Sequence, residues 1–161
     1  IQEDSRQKIG KHEIKHAYFD AHGITIVRNK LPFGDYAPVP PVSVDTKENM
    51  LEIAGNICGK EHTRFINECK NARNAGCQLI VLVENRDGIT ELSQVYEWKN
   101  PREEYSPNCV QGARLHKAMQ TIQERYGVRF MFCAPEDSAR IIEGIIREYG
   151  KEISECSIAL C

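Results

Sequence analysis

"CQLIVLVEN", Cys77 to Asn85, is the stretch that decides the fold. A strand with one wet face alternates apolar and polar residues, but Leu79 to Val83 are apolar at every position. Such a run reads as a strand covered on both faces, which places helices on either side of a mixed or parallel sheet. Reading outward from it gives helices and strands in turn. Upstream, "HTRFINECKNARNAG" predicts a helix with Phe65, Ile66, Cys69 and Ala72 inward and Gly76 as its stop. Before that, "ENMLEIAGNICG" predicts a helix burying Met50, Leu51, Ala54 and Ile57, and "VSVDTK" predicts a β-rich strand ending near Lys47.

Towards the N-terminus, "KHEIKHAYFDAHG" places Ile14, Ala17, Tyr18 and Ala21 at helical spacing before Gly23, and "ITIVR" is a β-branched strand. "IQEDS" is a weak strand by itself. Pro38, Pro40 and Pro41 forbid regular pairing between them. Downstream, residues 86–110 mix turns, prolines and the only tryptophan, and are expected to be a long or mobile excursion. "ARLHKAMQTIQERYG" is then a helix, "VRFMFC" a strand, and "PEDSARIIEGIIREYG" a helix with Pro135 at its start and Gly150 after it. The expectation is an α/β protein: a single three-layer domain over residues 1–161, with a mixed, largely parallel central sheet flanked by helices.

Composition narrows the chemistry. The chain has 161 residues, 41% hydrophobic and 27% charged, and a net charge of -2, so binding to a polyanion must come from a local basic patch. Its seven cysteines form no C-x-x-C pair, and most lie in apolar stretches, as in a reducing, intracellular compartment. No apolar run has membrane-spanning length, and neither G-x-x-x-x-G-K-[ST] nor G-x-G-x-x-G follows a strand, so neither a membrane nor a nucleotide cofactor is expected. Ile1 in place of an initiator methionine implies trimmed preceding residues.

Side chains on a strand alternate with period two, so Asp45 and Lys47 point to the same side. If "FGDY" pairs with "VSVDTK" across the "APVPP" loop, Asp35 lies opposite them. Two carboxylates sharing a site repel unless a cation sits between them, and hard oxygen ligands suit Mg²⁺ or Mn²⁺. A lysine beside them can orient or help deprotonate a water, or stabilise charge on a phosphate. The bland alternative is a turn acid at Asp35 and a solvated strand end at Asp45 and Lys47. His12 and His16, four apart, are expected on an exposed polar face rather than as zinc ligands, and Arg64 and Glu68 as a helical ion pair. Glu84, ending a buried strand, needs a partner or a metal.

An acid, about ten residues, then acid-x-Lys resembles the PD-(D/E)xK nuclease pattern. "EDSRQ" (Glu3 to Gln7) is similar to a D-x-R-E strand motif, "LPFGDY" (Leu31 to Tyr36) to L-x-x-G-D-Y, and "VDTK" (Val44 to Lys47) to V-E-R-K, all in order. "LIVLVE" matches a buried strand ending in Glu. The chain thus resembles the XPF/Hef-type nuclease domain, the excision-repair cross-complementing group 4 type, in its short stand-alone bacterial or phage form. The resemblance implies a restriction-endonuclease-like fold and metal-dependent cleavage of branched or flapped DNA by a cytoplasmic enzyme, with a homodimer expected.

It implies Asp35 and Asp45 as ligands of Mg²⁺ or Mn²⁺, Asp4 as a supporting acid, Lys47 serving the water or the phosphate, and Arg6 contacting or positioning the phosphate. Lys60, Arg64, Lys70 and Arg73 are candidates for the DNA backbone. Four positions depart from the pattern: Gln7 and Asp45 replace Glu, Thr46 replaces Arg, and Leu51 stands where an acid is expected, with Glu48 or Glu52 nearby. These departures define the rival expectation, a non-catalytic DNA-binding or scaffolding domain of the same fold.

Overall fold

The structure, a computed structural model, describes residues 1–8, 10–37 and 42–158, the last nine as backbone only. Six strands form one sheet: β1 (Gln2–Asp4), β2 (Val27–Asn29), β3 (Tyr36–Ala37), β4 (Val42–Lys47), β5 (Gln78–Glu84) and β6 (Arg129–Cys133). Their order is β2-β1-β3-β4-β5-β6. β1 and β2 are parallel, as are β4, β5 and β6, and β3 runs antiparallel to both its neighbours. Five helices surround the sheet: α1 (Glu13–Ala21), α2 (Met50–Cys58), α3 (His62–Asn74), α4 (Gly112–Tyr126) and α5 (Ser138–Ile158). This is the mixed α/β architecture expected from the apolar run at β5.

Period two in the strands sorts side chains between two cores. Leu79, Val81 and Val83 of β5 enter one cluster, with Phe130 and Phe132 of β6 and the inner faces of α2, α3 and α4. Ile80 and Leu82 enter the other, with Val42 and Val44 of β4, Phe19 of α1 and Ala139, Ile142 and Ile145 of α5. Each fully buried aliphatic side chain contributes about 1.5–3 kcal/mol, so β5, committed on both faces, anchors the sheet. Residues 85–111, between β5 and α4, hold two short 3-10 turns, Leu92–Glu97 and Pro101–Glu104, which place Val95 and Trp98 in the first cluster.

The structure corrects three expectations. In α1, Ile14 is 60% exposed and Ala17 and Ala21 also face outward, while Lys15 and Phe19 are buried with the preceding His12. The inner face of α1 is therefore largely polar. Lys15 forms an ion pair with Glu84, and His12 meets the Tyr36 hydroxyl at 2.5 Å, so polar partners rather than apolar periodicity orient the helix. His12 is thus not on an exposed face. The strand expected over "ITIVR" narrows to β2, an exposed edge. Gly150 does not end α5, which runs to Ile158. The three loop prolines Pro38, Pro40 and Pro41 lie outside the described residues.

Candidate active site

β4 carries Asp45 and Lys47 to its C-terminal end, beside Val81 and Val83 of β5. As the strand period requires, they share a face: Lys47 Nζ donates to Asp45 Oδ1 at 2.9 Å. Both are nearly buried, at 4% and 5% exposure, and the ammonium also lies 5.8 Å from the Phe65 ring centre. Asp45 Oδ2 is 2.8 Å from the same ammonium, yet is shut off from solvent and accepts no hydrogen bond. Burial pushes the Asp45 carboxyl above the usual carboxylate range; Lys47 opposes this, and Asp35 and Glu68 add to it. For Lys47 burial works downward, but the Asp45 carboxylate outweighs it and holds the ammonium above its ordinary range.

Asp35 reaches the same place from the turn before β3. β3 pairs with β4 through Tyr36 and Val44, and Asp35 N donates to Val44 O at 2.7 Å. The turn depends on Gly34, whose φ of 68° is left-handed and whose missing Cβ would stand 2.3 Å from Ser43 Oγ and 2.9 Å from Val44 O. Glu68 of α3 accepts from Gly34 N at 3.0 Å, tying the turn to the helix layer. Asp35 Oδ2 accepts from Thr46 N at 2.8 Å and Thr46 Oγ1 at 2.5 Å, and Oδ1 accepts from Gln7 Nε2.

β1 brings in Asp4 and, just after it, Arg6. Arg6 Nε donates to both Asp4 oxygens, at 3.1 and 2.8 Å, and Nη2 donates to Leu31 O at 2.7 Å. Burial alone would raise the Asp4 carboxyl, but these bonds to Arg6 hold it below the usual carboxylate range. The Arg6 side chain stays 57% exposed. All of these groups line one cleft of about 570 Å³, whose wall on α3 is Arg64, Asn67, Glu68 and Asn71.

Asp4, Arg6, Asp35, Asp45 and Lys47 are therefore brought together. Of the four DNA-backbone candidates, Arg64 alone lines the cleft, bonded to Glu61 at 3.1 Å rather than to Glu68 as its spacing suggested. Lys60 and Lys70 are exposed outside the cleft, and Arg73 donates to the Arg125 carbonyl on another face. Glu48 and Glu52 do not stand in simply for an acid at position 51. Glu52 lines the cleft but accepts from Glu48 N at 2.7 Å at the start of α2, and Glu48 pairs with Lys11. Among the described residues, no group of three or more His, Cys, Asp and Glu side chains converges closely enough to hold a metal.

Behind the site, Glu3 is 2% exposed and accepts from Tyr36 Oη at 3.1 Å, with His16 at 2.7 Å and Arg28 at 3.3 Å. Burial and then the Glu3 charge push the Tyr36 hydroxyl up, keeping it a donor. The two helical histidines are thus held by hydrogen bonds, not paired for zinc. Glu84 accepts from Ser138 Oγ at 2.9 Å and pairs with Lys15, which completes its burial away from the cleft. Sequence reading missed Glu68 as a neighbour of the site and placed Gln7 there only as a departure from the motif, without its bond to Asp35. The turn acid beside Gly34 was the available signal for a carboxylate wall, but the α3 partner is distant in sequence.

A model of the ERCC4 domain matches residues 3–145. The chain belongs to the ERCC4 domain family. The motifs at Glu3 to Gln7, Leu31 to Tyr36 and Val44 to Lys47 all lie within the matched span. The fold is also that of solved structures of XPF from Aeropyrum pernix: one is 19% identical with a TM-score of 0.66, covering 97% of this chain and 67% of that one. A second, XPF from Aeropyrum pernix in complex with DNA, is 20% identical with a TM-score of 0.66, covering 94% of this chain and 64% of that one. This ERCC4 domain thus spans about two thirds of the XPF chains it matches. No curated protein matches it. Among its described residues, no helix is long and apolar enough to cross a membrane.

Proposed function

We propose that this ERCC4 domain is a divalent-metal-dependent DNA endonuclease that hydrolyses phosphodiester bonds, acting on branched or flapped DNA as a homodimer inside the cell. The observation that carries the reading is the meeting of two buried acids, Asp35 and Asp45, with Lys47 in one cleft. Lys47 pairs with both oxygens of Asp45, while Asp35 is held by the neutral Thr46 and Gln7 donors, so the two acids of the cleft keep a negative charge that a cation between them would offset. A magnesium-type ion needs only one or two protein carboxylates, because waters and substrate phosphate complete its shell, so Asp35 and Asp45 suffice without a third acid.

Mg²⁺ or Mn²⁺ held there would supply Lewis-acid polarisation of the phosphate and a more acidic bound water. The chain's own groups do the rest. Lys47, kept as an ammonium by Asp45, is suited to stabilising negative charge on the phosphate rather than to taking a proton from water. Arg6 presents an exposed guanidinium to the backbone, and Asp4 supports the site by fixing that guanidinium. Arg64 extends the basic edge of the cleft. Burial of Asp45 and Lys47 keeps water from that pair and so strengthens its two charges, while Arg6 and Arg64 stay exposed.

The rival reading, a non-catalytic DNA-binding or scaffolding domain, draws on Gln7 and Leu51 standing where acids are expected and on Thr46 standing where an arginine is. Fluorescent forked, flapped, four-way and plain duplex DNA, incubated with Mg²⁺, Mn²⁺ or EDTA beside Asp45→Asn, separates the two. The expected result is metal-dependent cleavage of the branched forms, lost in the variant. Binding without cleavage under every metal favours the scaffold, and cleavage unchanged in Asp45→Asn refutes the site.

A further inference from the structure

We infer that Thr46, where the nuclease pattern carries arginine, is a positioning residue that fixes Asp35 so that Oδ1 is the oxygen offered to the divalent ion, and that Gln7 covers this oxygen until the ion takes its place. The inference rests on the metal reading above. Asp35 is 7% exposed, and its Oδ2 is held by two donors of one residue, the Thr46 backbone N–H at 2.8 Å and hydroxyl at 2.5 Å. Two donors from one rigid strand residue occupy that oxygen and set the plane of the carboxylate. The remaining oxygen receives only the Gln7 amide among the described side-chain contacts.

Thr46 is 6% exposed on β4, whereas Gln7 is half-buried in the turn after β1. The fixed partner therefore sits on the oxygen that stays bound, and the movable partner on the oxygen that must be freed. The family pattern has a carboxylate at position 7; a neutral amide donates to Asp35 there and is displaced without leaving a buried charge behind. The departures at positions 7 and 46 thus act on the same carboxylate, one on each oxygen.

The test is titration of Mn²⁺ into the full chain, reading free Mn²⁺ by electron paramagnetic resonance, with thermal melting of each variant alongside. Thr46→Val, which keeps shape and loses the hydroxyl, is expected to bind Mn²⁺ about tenfold more weakly, as loss of a partner behind a metal ligand typically does. Thr46→Ser is expected to stay within about twofold of the wild type, and Gln7→Ala to bind about two- to tenfold more tightly, the worth of one hydrogen bond no longer competing. Wild-type affinity in Thr46→Val overturns the role of Thr46, and weaker binding by Gln7→Ala overturns the role of Gln7. If Thr46→Val melts early, Thr46→Ser and Thr46→Ala are compared below both melting points, and equal affinity overturns the role of the hydroxyl. No Mn²⁺ bound by the wild type refutes the metal reading itself, an outcome the wild-type arm reports before any variant is considered.

Discussion

Gly34 holds the site together at the smallest scale. Its left-handed φ and the 2.3 Å a Cβ would leave to Ser43 Oγ mean that no other residue fits without moving β4. Gly34→Ala is expected to cost at least about 2 kcal/mol in urea unfolding, from the left-handed penalty together with the clash. Glu68 supports the same turn through Gly34 N. Glu68→Gln keeps an acceptor oxygen and is expected to unfold within about 0.5 kcal/mol of the wild type, whereas Glu68→Ala leaves the amide without its partner and loses about 1 kcal/mol. Equal losses in the two variants would show that the charge of Glu68, and not its hydrogen bond, matters to the turn. That Asp45 and Lys47 share a face was legible because a period of two is a local fact, whereas the Gly-Asp turn read equally as a plain turn, and Asp35 was joined to them by the resemblance and an assumed pairing of strands. Glu68 was not legible, because its partner lies 34 residues away and Arg64 offered a nearer, misleading match.

Among the elements, β4 was read from sequence with the ends that the structure gives it and β5 one residue too long at each end, since an apolar or alternating run between turn residues has few other solutions. α1 was placed but turned the wrong way. Apolar periodicity assumes that helices bury hydrocarbon, and here Lys15 and His12 are buried because Glu84 and Tyr36 receive them. The Lys15–Glu84 pair is about nine-tenths buried at both side chains, so either charge left alone has little water to answer it. Lys15→Met is expected to destabilise the domain by about 3–5 kcal/mol in chemical denaturation, leaving Glu84 the Ser138 hydroxyl as its side-chain partner among the described residues. Lys15→Met combined with Glu84→Leu, which removes both charges and fills the space, is expected to recover most of that loss. A double variant no more stable than Lys15→Met would mean that α1 docks through other contacts.

For the molecule as a whole, burial and charge meet at the Lys15–Glu84 pair and at Glu3, where the structure supplies the partners, and in the cleft, where two acids share one lysine. Asp45 and Lys47 are buried as a pair, an arrangement that well-packed apolar residues often match or exceed in stability by about 1–4 kcal/mol. The ERCC4 fold here therefore keeps charges that folding by itself does not require, and stability and metal binding should part company. Asp45→Leu with Lys47→Met is expected to melt at or above the wild type without added metal and to gain nothing from Mn²⁺. On the proposed reading the wild type binds an ion in the folded state alone, and it is then expected to gain about 2.7 kcal/mol at one hundred times its dissociation constant and to lose the gain in EDTA. Scanning calorimetry of the two proteins, each with EDTA and with Mn²⁺, reads both effects. A double variant that melts well below the metal-free wild type would mean that the Asp45–Lys47 pair is part of what holds β4 in the sheet, and an equal Mn²⁺ shift in the two would place the ion elsewhere.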